Sequence, residues 1–554
     1  MDSLPKSVIR RLFSHECGAS NRLIPRWIFL RALGLIYFSA FYSLAFQIRG
    51  LIGPQGILPA GEYLQALARS NLGHVRFWYA PSLLWISSSS GMLIALCCIG
   101  MIGALLLFLN FWPRGMLMIC LVCFLSFVCA ARDFSEYQSD GMLPEAGFIA
   151  LFFAPPGLCS RLGADHPPSR AGLFLLQWEW FRIYFESGIV KLASGDPLWR
   201  NFTAMDDYYQ NGPLPTWIGW YLQHLPHWFH AASVGATLVL ELGLVWMILL
   251  PRRFRTILFL IVTFWELGVI SSANYAFLNY LVLSLGILLV DDRFLLRWIP
   301  KRWRSQVEAE LAITNTKDNF AQKIAESQTE DVHQNRSPLH SFRTMARRHV
   351  SALRLAISAV MLTWIFYVTA ALLILMLAPR APVPSAPIVM LQPLRVANQY
   401  GLFAVMTRGR YEIEFQGSRD GQNWIAYVFR NKPQALNEPP GVYAPYQPRF
   451  DWNLWFASLG DWTNNSIVPN TEIRLLSNSR DVLKLFRENP FPDGPPKQVR
   501  AVLWQYWFTT VAEKRVTGNW WKRQLLGLYA PTLEVQPDGK IGVVEMPQEL
   551  PPHR

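Results

Sequence analysis

The sequence predicts a polytopic α-helical membrane domain of about nine spans, followed by an extracytoplasmic β-rich α+β domain. Three observations carry this. Hydrophobic residues make up 52% of the 554 positions and charged residues only 16%, with a mean hydropathy of +0.18, where soluble domains carry about 25% charge. Apolar stretches of the length a spanning helix needs, about 20 residues, recur from residue 27 to residue 378. Beyond residue 388 the pattern changes to period-two alternation broken by turn signals. This composition excludes a disordered chain, a coiled coil and a disulfide-rich scaffold. The seven cysteines all precede residue 160, so no disulfide is expected in the C-terminal half.

The nine candidate spans are 27–48, 83–110, 114–131, 142–158, 171–193, 231–250, 255–271, 274–290 and 352–378. The first is too long for a signal peptide and lacks a small-x-small cleavage site, so it reads as an anchor. The pair 255–271 and 274–290 reads as a tight helical hairpin or as one re-entrant segment. Lysines and arginines set the orientation. With residues 1–26 in the cytosol, the inner loops before residue 291 carry 11 basic residues and the outer ones 5. The basic loop 291–351 also falls inside, and the chain beyond residue 378 falls outside. Domain limits follow: a cytosolic 1–26, a multi-span domain 27–300, a polar cytosolic linker 301–350 of which 305–340 is read as mostly unstructured, a last span 351–378, a β-rich domain 388–545 and a tail 546–554. The net charge of +13 is then a topology and membrane-surface signal. No nucleic-acid motif accompanies it, and no nucleic-acid partner is expected.

In the C-terminal region, Tyr411–Phe415 alternates and Gly417–Gly421 is a turn. Trp424–Arg430 reads as the returning strand and Val499–Thr509 as a further one. Asp451–Leu459 and Ser479–Glu488 have helical spacing, the second stopped by Asn489-Pro490.

Ionisable residues inside spans cost about 2.5–3.5 kcal/mol each on insertion scales, so each needs a partner or a task. Here they form an intramembrane polar set: Glu145, Glu179, Arg182, Glu186, Lys191, Glu241 and Glu266, with Arg31 near the inner surface, placed to snorkel. Glu179, Arg182 and Glu186 share one helix face, where Arg182 can pair with either glutamate. Lys191 lies about 140° away around the helix. Lys191, Glu145 and Glu266 fall at similar depth, which suggests one cluster under the outer leaflet, either fixing helix register or lining a ligand cavity.

The loop 194–230 carries nine aromatic residues and cannot simply be solvated. Trp217, Trp220 and Trp228 in it, with Trp452, Trp455 and Phe456 in the tail, are candidates for a client-binding surface. His224, His227 and His230 have a spacing that invites a metal, but Pro226 interrupts the helix this would need, and no metal or other cofactor is expected. Cys120 and Cys123 lie inside a span as small apolar residues. No HExxH, P-loop, GxSxG or GxGxxG pattern is present.

Phe181–Leu192 (FRIYFESGIVKL), Trp199, Pro213–Pro215, His224–His230, Asn274–Asn279, Ala444–Trp452 and Asn489–Pro492 together resemble the lipase maturation factor family, over nearly the whole chain. The resemblance implies a non-enzymatic membrane factor that helps secreted lipases reach an active folded or assembled state. It implies the lipid bilayer and a secreted lipase client as partners, and the endoplasmic reticulum membrane in a eukaryote or the cytoplasmic membrane in a bacterium. A fainter resemblance covers Phe185, Gly188, Lys191, Leu192 and Trp199, a pattern similar to the membrane domain of vitamin K-dependent γ-carboxylases. It implies an alternative in which Lys191 is a catalytic base. A transporter is a third reading, favoured by the intramembrane charges.

Overall fold

The computed structural model describes residues 4–312 and 338–550. Nine principal helices occupy the first part: α1 (Leu23–Ile52), α2 (Ser90–Phe108), α3 (Pro113–Val128), α4 (Gln138–Phe153), α5 (Arg170–Ala193), α6 (His227–Leu238), α7 (Arg252–Ser272), α8 (Leu278–Gly286) and α9 (Pro338–Leu377). Five helical stretches among the described residues are long and apolar enough to cross a membrane: Ser20–Ile52, Ser90–Phe108, His227–Leu249, Arg252–Ser272 and His349–Leu377. Pro113–Val128 and Leu278–Leu289 are shorter apolar helices. The helix α5 is long enough, but Glu179, Arg182, Glu186 and Lys191 lie along it.

Several boundaries differ from the sequence reading. The candidate 83–110 begins with a 3-10 turn, Leu83–Trp85, and α2 starts only where Ser89 caps it by accepting the Met92 N–H. The candidate 142–158 ends at Phe153, just before Pro155-Pro156. Residues 231–250 are not one helix. After Leu238 the chain makes a π turn, Val239–Gly243, then a 3-10 stretch, Leu244–Leu249. The segment 274–290 is helical only from Leu278, because Asn274 turns aside to bond the tail. At the edges of the segment expected to be unstructured, residues 301–312 are helical and α9 begins at Pro338. Residues 313–337 lie outside the described residues.

The helix α1 is buried along most of its length and packs against α2, α4 and α8. The helix α7 lies at the rim, with Phe264 and Leu267 exposed. The C-terminal part is an antiparallel five-stranded sheet in the order β2-β1-β3-β4-β5: β1 Arg410–Ser418, β2 Ile425–Ala426, β3 Gln498–Phe508, β4 Trp521–Val535 and β5 Ile541–Glu545. Two helices pack against it, α10 (Arg449–Ser458) on β1 and α11 (Ile467–Leu476) on β3 and β4.

Trp424–Arg430 pairs as a strand only at Ile425–Ala426. Beyond Tyr427 it leaves β1, and the Val428 carbonyl accepts the Arg487 N–H instead. For the same reason Ser479–Glu488 is helical only at Arg480–Leu483, its end being drawn into a bridge between Phe429 and Phe486. The strands β4 and β5 and helix α11 are additions to the sequence reading.

This domain is docked on the helices through buried polar contacts. Arg449 forms a bidentate ion pair with Asp140 at the start of α4, both bonds 2.6 Å. Arg474 and Ser479 donate to the carbonyls of Gly56 and Gln55. Asn274 donates to Gly441 and accepts the Tyr443 N–H at 2.6 Å.

Candidate functional site

The ionisable residues of the spans separate into two centres on opposite sides of α5. Three helical steps place Arg182 below Glu179, and four place it one turn from Glu186. Arg182 pairs mainly with Glu145 of α4, and its Nη1 donates 2.6 Å to the Asn398 carbonyl. Glu186 stands 3.9 Å from it. Glu179 is fully buried beside them and has no ion pair among the described residues. The expected pairing of Arg182 with Glu179 or Glu186 is thus secondary to Glu145, a partner brought in by helix packing.

A strap from the tail closes this centre. Glu145 Oε2 accepts the Asn398 N–H at 2.9 Å and the Tyr400 hydroxyl at 2.8 Å. Glu186 accepts the Tyr400 N–H at 2.6 Å, and Ser187 Oγ accepts that of Leu402 at 3.2 Å. Asp196 accepts the Met406 N–H at 2.7 Å, and Trp199 donates to the Phe403 carbonyl at 3.0 Å. Backbone N–H donors on a buried carboxylate satisfy it without adding charge.

The second centre is Lys191. Its ammonium reaches both Glu241 oxygens at 2.8 Å and the Ser187 carbonyl at 3.4 Å, and stands 5.2 Å from the Trp199 ring centre. Neither Glu145 nor Glu266, its expected partners, pairs with it. Glu241 sits in the π turn after α6, a local widening often found at functional sites. Gly188 lets α5 approach that turn: a Cβ there would meet Leu242 Cδ2 at 2.8 Å and Glu241 Cβ at 3.0 Å. Glu266 is held apart from Lys191, accepting the Tyr184 hydroxyl and, at 2.7 Å, the Asn279 amide. The single cluster expected from depth is therefore two centres and a separate carboxylate.

Lys191, Glu241, Glu266, Tyr184 and Asn279 open on a cavity of about 800 Å³ between the helices and the tail. Its other walls are mostly apolar and aromatic, including Trp199, Phe403 and Trp452. Tyr208 and Tyr275 also face it, with the Tyr275 hydroxyl donating to that of Tyr208 at 2.8 Å. Burial raises the Tyr208 pKa, which keeps it a neutral donor and acceptor. The Arg182 centre does not line this cavity.

The surface aromatics divide. Trp217, Trp228 and Phe456 are exposed, Trp228 at 69%. Trp220, Trp452 and Trp455 are buried, so they do not share the exposed surface of the other three. Trp220 packs edge-on against Trp520 in a small core with Tyr506, Phe508 and Trp521, while Trp452 and Trp455 turn inward to the cavity. The histidines of the HxxHxxH run go to different partners: His224 to Trp220 and Thr509, His227 to Asp206, His230 to Leu225. Arg31 folds back along α1, donating to the Trp27 carbonyl and stacking over its ring at 4.3 Å.

The residues that sequence reasoning missed are Tyr184 and Asn279, the strap 398–406, and Asp140 with Arg449. Asp140 was the most legible of these, an acidic residue two positions before the candidate span 142–158 and in the first turn of the observed helix.

A helical membrane-type domain capped by a docked antiparallel sheet, with an amphipathic cavity at their junction, is the class of protein this architecture defines. Residues 24–297 match the lipase maturation factor transmembrane domain and residues 396–531 the lipase maturation factor C-terminal domain. The chain belongs to the lipase maturation factor family. It is 30% identical to lipase maturation factor 2 of Mus musculus over 93% of this chain and 84% of the relative. It is also 30% identical to lipase maturation factor 1 of Bos taurus, over 93% and 89%. No solved structure matches the chain.

Proposed function

We propose that this chain is an integral membrane factor for the maturation of secreted lipases, acting on client folding or assembly without itself catalysing a reaction. The observation that carries this is the extent of the similarity: 93% of the chain aligns with relatives named lipase maturation factors, through both the helical part and the tail. The exposed Trp217, Trp228 and Phe456 supply apolar area for a client near the outer membrane surface. Nine spans with a cytosolic N-terminus and an extracytoplasmic C-terminal domain suit the 11-to-5 basic asymmetry. The membrane is that of the endoplasmic reticulum in a eukaryotic host and the cytoplasmic membrane in a bacterial one.

The comparisons do not favour the carboxylase-like alternative with Lys191 as a base: the relatives that align with 93% of the chain are named lipase maturation factors.

The test is co-expression with a secreted lipase in cells lacking a maturation factor of their own. The secreted lipase should gain activity per unit of secreted protein when this chain is present. Unchanged specific activity overturns the reading. For topology, a reporter active only in the cytosol, fused after Arg554, should be silent.

A further inference from the structure

We propose that the cavity between α5, α7, α8 and the strap binds a single uncharged lipid with a hydroxyl-bearing head group, of the monoacylglycerol kind. The inference stands apart from the lipase reading and rests on three features of the cavity.

The first is its place and size. About 800 Å³ lies within the roughly 300–1,000 Å³ of small-molecule sites. Trp265 and Val269 of α7 form one wall, while Phe264 and Leu267 of the same helix face outward. The cavity is thus one helix away from the bilayer, and its apolar walls suit an acyl chain.

The second is the hydrogen-bonding sense of its polar end. An ammonium has three donors, and those of Lys191 go to the two Glu241 oxygens and the Ser187 carbonyl. Each oxygen of Glu241 and Glu266 receives one bond from the protein and has capacity for another. The polar end therefore offers mainly acceptors, with the Tyr208 hydroxyl as a donor beside them, and a head group there must donate and can also accept, as a hydroxyl does. Hydroxyl groups do this without bringing a charge to be desolvated.

The third is charge. Two carboxylates face one ammonium in the cavity, and Asp133 and Glu136 stand on its lining toward the tail. A fatty acid carboxylate or a phosphate would sit beside more acidic than basic side chains at both positions.

The experiment uses the full-length protein in nanodiscs and a monoacylglycerol carrying a photoreactive diazirine and an alkyne on its chain. Labelling should be saturable and map to peptides containing residues 183–205, 265–282 or 401–407. Unlabelled monoacylglycerol should reduce it about tenfold at a concentration where the matching fatty acid and the matching primary amine have little effect, the margin one or two hydrogen bonds supply. Val269→Trp, which fills the cavity from a half-buried position on α7, should abolish cavity labelling, and Glu266→Gln should weaken it. Equal competition by fatty acid or amine overturns the head-group assignment. Label found only on outward-facing helix surfaces, or unchanged in a well-folded Val269→Trp protein, overturns the site. The competition on the unaltered protein decides the matter even if a variant fails to fold.

Discussion

The Arg182 and Lys191 centres lie on the same helix, nine residues apart, and each buries a cation with carboxylates. They differ in what surrounds them. Around Arg182 the three carboxylates are buried, and the tail supplies donors to Glu145 and Glu186 through Asn398 and Tyr400. Around Lys191 one side is left open to the cavity. Burying a charge carries the same kind of penalty in both places. In the first it fixes the register of α4, α5 and the strap. In the second it places a polar group where another molecule can reach it.

The largest effect expected from this difference comes from removing the strap. The sequence suggests that deleting 388–554 leaves the membrane part intact. The structure assigns Glu145, Glu186, Ser187 and Asp196 to donors from residues 398–406, so that truncation leaves buried acceptors bare. A chain ending at residue 407 keeps them. The shorter chain should be nearly absent from membranes, and the longer one should accumulate severalfold better while failing to help a client. Equal amounts of the two would show that the strap is not what closes the Arg182 centre.

Arg182→Leu comes next. It leaves Glu145, Glu179 and Glu186 buried with no cation, at a cost of about 3–5 kcal/mol, and membrane levels should collapse. Lys191→Ala leaves only Glu241 unpaired, and the cavity admits water to it, so the cost should be nearer 1–3 kcal/mol. Lys191→Arg keeps the charge, and the cavity has room for the larger head. It should retain both protein level and client activation. Normal level with complete loss of function in Lys191→Arg would instead mean that Lys191 must lose a proton, which arginine cannot do. If Arg182→Leu and Lys191→Ala proved equally damaging to membrane level, the contrast between a closed and an open centre would fail.

How far the sequence reveals these features depends on whether the signal is local. Apolar length alone locates the principal helices, and the angular offset of Lys191 from Glu186 already points to two faces of α5. All seven buried ionisable residues of the polar set were legible, because a charge in an apolar run is conspicuous whatever it contacts. Their partners were not. Glu145 reaches Arg182 and Glu241 reaches Lys191 only through helix packing across long chain separations. Strap donors are mostly backbone N–H groups, which have no side-chain signature. In the tail, β4 escaped because Gly527, Pro531 and register shifts against β3 break the period-two pattern. Trp220, Trp452 and Trp455 show the converse: an aromatic residue near an interface reads the same whether it faces out or in.

The smallest effect concerns a buried carboxylate in neither centre, one held by backbone N–H groups and without an ion pair among the described residues. Asp292 accepts the N–H groups of Leu23 and Ile24 at the start of α1. Burial pushes its pKa up to about 6 against those bonds. A raised carboxylate pKa means that the folded state binds the proton more tightly, so this group adds stability as pH falls from 7 toward 4, and that stability is lost as pH rises through 6. His15 acts in the opposite sense. Burial and the adjacent Arg114 lower its pKa to about 3, so below about pH 6.5 the unfolded chain takes up a proton that the folded one refuses. The two oppose each other in the unaltered protein, which should show a shallow pH profile between 7 and 5. Asp292→Asn removes one side. Its stability should fall relative to the unaltered protein by about 1 kcal/mol more at pH 5 than at pH 7, measured by thermal unfolding in detergent at the two pH values. Parallel profiles would mean that the Leu23 and Ile24 N–H groups offset the burial of Asp292 entirely, and that backbone donors alone can stand in for a counter-charge.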